Sequence, residues 1–123
     1  MTQETAILTD SPSRTYVKRS ACLTLYITAV YKIDEPDKID YIKIAGHSGV
    51  NNCGNSWLEM TADLLTFGIR RIGNHHDAVA IVKNCIRHRC NNIVANREHI
   101  TSCADAIGRA IAEILNVDLE EAR

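Results

Sequence analysis

No stretch of this chain approaches the run of about 20 apolar residues that a membrane span needs, so no partner membrane is expected. The N-terminus lacks the charged start, apolar stretch and small-residue cleavage site of an export signal, which makes a cytoplasmic protein the expectation. Close cysteine pairs are missing too. The five cysteines, Cys22, Cys53, Cys85, Cys90 and Cys103, are odd in number and contain no CxxC knuckle. That argues against a disulfide framework and weakens the case for structural zinc. Aromatic residues are scarce, at 5%, and the net charge is only -1. Binders of nucleic acid polymers carry long basic tracks or stacking platforms, so a nucleic acid partner is a poor fit.

What is present suits one domain. At 123 residues a chain buries roughly two-thirds of the surface it exposes when unfolded, enough for one core without staples. Apolar residues make up 46%, as in globular proteins. The charge is unevenly spread. From Arg70 to His99 there are six Lys/Arg against two Asp/Glu, with four of the five histidines and five asparagines. Guanidinium forks and amides bind phosphate oxygens well, so this segment suits an anionic ligand. A solvated helix face followed by a polar loop has the same composition.

The element order follows from periodicity. Residues 1–13 are polar and irregular and read as a loose arm ahead of a single domain, 14–123. "RTYVKRSACLTLYITAVYKI" has strand chemistry, with Leu23, Leu25, Ile27, Ala29 and Tyr31 on one face. "DEPDK" is a turn, and "IDYIKIAG" is the return strand with Ile42 and Ile44 facing the same way. The other face, with Tyr26, Thr28 and Val30, is too apolar to be wet and points to a homo-oligomer. Three helices follow. The first opens at a capping box, Ser56 with Glu59, and its stripe is Trp57, Met60, Leu64, Phe67 and Ile72, broadened by Leu65 and Ile69. Gly73 ends it and Asn74 caps the second, whose apolar face runs from Ala78 to Ile86. Ser102 caps the third, with Ala106, Ile107, Ala110, Ile111, Ile114 and Leu115 as its stripe. Gly108 in mid-helix implies a close backbone crossing. Strands first and helices after is an α+β fold, a small antiparallel sheet packed on about three helices.

"TSCADAIGRAIAEIL" resembles the signature of the TSCPD domain, Thr-Ser-Cys-Pro-Asp ahead of an amphipathic helix. Upstream, "AGHSGVNNCGNSWLEMTADLLTFGIR" is similar to that family's glycine-rich loop and helix, and "VKNCIRHRC" to its second helix and Arg-Cys segment. The likeness runs from about Leu23 to Leu115, and Ala104 departs from the motif proline. The resemblance implies an α+β domain in a nucleotide-related setting. Such domains end vitamin B12-dependent ribonucleotide reductases and also occur as small free-standing proteins. An accessory module of such a reductase, with redox or zinc-binding cysteines, is therefore one reading. In overall plan alone, the chain is also similar to phage anti-defence sponges that hold cyclic nucleotide or cyclic ADP-ribose signals.

Four kinds of site follow from the residues. Cys103 at a helix N-terminus, with His99 four residues upstream, is a candidate nucleophile and base, but no oxyanion or orienting motif accompanies the pair. Cys53, Cys90 and Cys103 with His99 or His88 are candidate zinc ligands, though no spacing forces them together. His75 and His76 diverge on a helix and read as solvent-facing or capping. Anion binding has the most support. Thr101 and Ser102 offer hydroxyls at the third helix's N-terminus, where backbone N–H groups point outward. Arg97 and His99 approach from the loop, Arg109 lies two turns along the helix, and Asn92 and Asn96 suit a base or ribose. Arg70 or Arg71 of a neighbouring subunit could complete the seat. The expectation is a protein that holds a small phosphorylated, nucleotide-type ligand without transforming it.

Overall fold

The structure, a computed structural model, describes residues 12–20, 24–47, 52–88 and 102–123, without the side chains of 47 and 52–55. It has the expected α+β order. Strands β1 (Ser13–Arg19), β2 (Thr24–Tyr31) and β3 (Ile39–His47) form an antiparallel meander, β1-β2-β3. The alternation in β2 and β3 decides the core face: Leu25, Ile27 and Ala29 are fully buried, and Ile42 and Ile44 join them. Ile27 pairs with Ile44 and Ala29 with Ile42 across the strands. The "DEPDK" turn closes through Lys32 N–H to the Lys38 carbonyl at 2.9 Å. β1 begins at Ser13, the last residue of the expected arm, and Tyr31 N–H donates to the Pro12 carbonyl at 2.8 Å.

Among the described residues four helices follow: α1 (Asn52–Ile69), α2 (His75–Ile86), α3 (Cys103–Leu115) and the short α4 (Leu119–Ala122). α3 is the central element. It packs on β1 and β2 on one side and on α2 on the other. Ala106, Ile107, Ala110, Ile111 and Ile114 are buried as their spacing predicts. Asn74 caps α2 by accepting from Asp77 N–H at 3.0 Å. His75 Nε2 lies 2.9 Å from Glu121 Oε2 and so ties α2 to α4; this bond holds the exposed Glu121 carboxyl below its ordinary range.

The expectations for α1 need two corrections. It starts at Asn52, so Ser56 and Glu59 lie inside the helix and do not cap it. The larger correction concerns its faces. Leu58, Ala62 and Ile69 are buried, whereas Trp57, Met60, Leu64 and Phe67, expected to face the core, are about half exposed or more, at 49–64%. The reason is where α1 sits. It lies along β3, the edge strand, and Thr66 Oγ1 accepts the outward Ile42 N–H at 2.9 Å. A helix over a sheet edge satisfies backbone groups that would otherwise stay open to pairing. The small residues Ala62 and Thr66 permit that close approach, which turns the bulky stripe away.

The outward sheet face is also less open than expected. Val30 is 6% exposed, and Tyr26 and Thr28 are half-buried. β2 is the central strand, so neighbours on both sides shade it; Thr28 Oγ1 lies 2.8 Å from Thr15 Oγ1 on β1. No helix among the described residues is long and apolar enough to cross a membrane.

Candidate functional site

Two places gather the side chains expected to carry function. The first is the start of α3. Ser102 has extended backbone, and its Oγ accepts from Asp105 N–H at 2.9 Å while donating to the His88 carbonyl. His88 directly follows the last turn of α2, so this bond holds together residues 88 and 102, the two flanks of the basic segment. Asp105 lies in the first turn, and its Oδ1 accepts from Arg109 Nε at 3.1 Å; these side chains are only 5% and 13% exposed. A carboxylate near a helix N-terminus interacts favourably with the macrodipole. The positive end of α3 therefore already faces an internal anion, with which Arg109 pairs through Nε.

Cys103 opens α3, half-buried, with its Sγ 3.2 Å from Ser20 Oγ. Its described neighbour is thus a hydroxyl, not a base. Cys85 faces the packing between α2 and α3, and burial pushes its thiol up to about 11, which leaves it almost wholly protonated and unreactive at neutral pH. Among the described residues no group of three His, Cys, Asp or Glu is placed to hold a metal ion. The side chain of Cys53, and Cys90, Asn92, Asn96, Arg97, His99 and Thr101, lie outside the described residues.

The second place is a cleft of about 540 Å³ where the β2–β3 turn meets the C-terminal ends of α1 and α3. Lys32, Lys38 and Arg70 bring three cations to its lining, against the single carboxylate of Asp37, with Tyr31 and Asn116 beside them. Lys38 also pairs with Glu35 at 3.0 Å. Arg70 and Arg71 follow the last turn of α1 and part there. Arg70 faces the cleft, while the Arg71 guanidinium stacks 3.5 Å from the Phe67 ring centroid. Ile114, Leu115 and Asn116 line the cleft, so it lies at the far end of α3 from Ser102. A helix of that length spans about 20 Å, so Arg70 and Ser102 do not share a site within one chain.

Lys32 and Lys38 were missed in the sequence because they flank a turn, where a lone lysine carries no spacing signal. The Asp105–Arg109 pair did have a signal, its i,i+4 spacing. Compared with protein-family models, curated proteins and solved structures, the chain matches none.

Proposed function

We propose that this chain is a non-catalytic binding protein for a small phosphorylated, nucleotide-type ligand. The observation that carries the reading is the cleft that joins Lys32, Lys38 and Arg70. Its volume is within the roughly 300–1,000 Å³ of small-molecule sites, and a guanidinium with two ammonium groups suits a phosphate or diphosphate. The carbonyl ends of α1 and α3 also point there and, with Asp37 in the lining and Glu35 paired to Lys38, offset much of that positive charge. The alternative seat is the stretch between His88 and Ser102, with Asn92, Asn96, Arg97, His99 and Thr101. The resemblance to TSCPD domains supports a nucleotide-related ligand. A sponge for cyclic nucleotide or cyclic ADP-ribose immune signals is one concrete form.

Native mass spectrometry of the purified chain with linear and cyclic nucleotides tests this. The expected result is one retained nucleotide per chain, released with its mass unchanged. Lys32→Ala with Arg70→Ala should weaken binding at least about tenfold, the loss of one or two charge-assisted hydrogen bonds. Equal affinity in that variant and a loss on Arg97→Ala would move the seat to the basic segment. No retained nucleotide at millimolar ligand would end the reading.

A further inference from the structure

Four exposed large apolar side chains share one face of α1. Trp57, Met60, Leu64 and Phe67 are 49%, 51%, 64% and 59% exposed. They are spaced three, four and three residues apart, the alternation of a coiled-coil seam. Leu58, Ala62 and Ile69, which hold α1 to the core, lie about 150° away around the helix. The seam therefore cannot turn inward without pulling the other face out. Arg71 closes the stripe, stacked on Phe67 and donating to its carbonyl at 3.0 Å.

We propose that this stripe is the surface by which two copies of the chain pair, α1 against α1 and antiparallel. The inference is independent of the ligand reading. Two observations carry the proposal: one chooses a second copy as the occupant, and the other sets its orientation. The first is area. Half-exposed side chains of this size present on the order of 100 Å² each, so the stripe offers roughly 400 Å² of apolar surface, within the range of patches that mark interaction sites. Pairing two such stripes removes on the order of 800 Å² of apolar surface, and polar flanks bring the total near the roughly 1,200 Å² at which specific interfaces begin.

The second is charge. Glu59 and Asp63 lie in the middle of α1, and Arg70 and Arg71 follow its C-terminal end. Antiparallel pairing about the middle of the seam keeps the two basic ends apart, whereas parallel pairing sets them side by side. A twofold axis then relates the two stripes. The sheet offers a weaker surface. Val17 and Tyr41 are exposed, at 52% and 41%, but Val30 between them is buried.

The single tryptophan, Trp57, sits in the seam, so its fluorescence reads this face directly. The experiment is sedimentation equilibrium and tryptophan emission over a dilution series of the full chain and of Leu64→Asp. The expected result is a reversible dimer with a micromolar dissociation constant, the weak end for an interface of this size. Its Trp57 emission should shift to the red on dilution. Leu64→Asp should be monomeric with red emission at every concentration. Leu64 is exposed, and an unchanged circular dichroism spectrum checks that the fold survives. A monomer throughout the series would overturn the proposal. So would a dimer that Leu64→Asp leaves intact, which would place the contact elsewhere. A monomer with concentration-independent blue emission would overturn it too, because another segment of the same chain would then cover the seam.

Discussion

Asp105→Ala is expected to cost about 3–5 kcal/mol of folding stability, the range for breaking a buried ion pair by removing one partner. Domains of this size have about 5–15 kcal/mol in all, so much of the variant would be unfolded at physiological temperature. The cost comes mainly from Arg109. Its side chain is 13% exposed and its Nε donates to Asp105 at 3.1 Å; alanine leaves a guanidinium in a nearly dry place without its carboxylate. The first turn of α3 also loses its one acidic side chain, an effect of roughly 0.3–1 kcal/mol. Asp105→Asn keeps an acceptor near Arg109 and should cost less. Combining Asp105→Ala with Arg109→Met should restore most of the loss, because no uncompensated charge remains. Urea unfolding of the single and double variants measures the coupling. Additive effects would show that the pair contributes no energy beyond its separate side chains.

Gly108→Ala comes second, with an expected loss of about 1–3 kcal/mol from overpacking. Intrinsic propensity pushes the other way, since alanine in a helix interior is better than glycine by about 1 kcal/mol. Contact geometry decides the sign. A Cβ at residue 108 would lie 2.6 Å from Ile86 Cγ2, 2.7 Å from Cys85 Cβ and 3.1 Å from the Ile86 backbone nitrogen. The last is main chain and Cys85 Cβ is fixed to it, so α2 and α3 would have to move apart as bodies. Gly68 in α1 is the control. A Cβ there meets only Ile81 Cδ1 at 3.7 Å, an ordinary contact. Gly68→Ala should therefore be neutral or stabilising by up to about 1 kcal/mol. Opposite signs for the two substitutions in the same unfolding assay are the expected outcome. A neutral Gly108→Ala would mean the α2–α3 crossing is looser than described.

Much of the fold was legible from short-range patterns. The period of two in "LTLYITAV" places Leu25, Ile27 and Ala29 in the core, because alternation is a property of a single strand. Caps were equally local: Asn74 and Ser102 each accept from the N–H three residues on, as their positions ahead of Asp77 and Asp105 suggest. Gly108 announced a close crossing, and only the partner was missing from the sequence.

The site was less legible. Whether a cation serves a ligand or a neighbour depends on what lies beside it. Arg109 has the residue type of a phosphate contact, but the folded chain pairs it with Asp105. Arg70 and Ser102, near in a list of anion-binding residues, end up at opposite ends of α3. Lys32, Lys38 and Arg70 meet only because the β2–β3 turn and the end of α1 arrive at one place.

α1 shows the division most clearly. Its sequence holds two apolar stripes at helical spacing, one of Leu58, Ala62, Leu65 and Ile69, the other of Trp57, Met60, Leu64 and Phe67. By itself the sequence determined that this segment is an apolar-striped helix, and that strands precede helices around one core. Spacing favoured Trp57, Met60, Leu64 and Phe67, with Leu65 and Ile69, for burial; the tertiary structure buried Leu58, Ala62 and Ile69. The edge of β3 needed a partner for its Ile42 N–H, Thr66 supplied it, and a helix held that close to a backbone edge turns its small side chains inward and its bulky ones out.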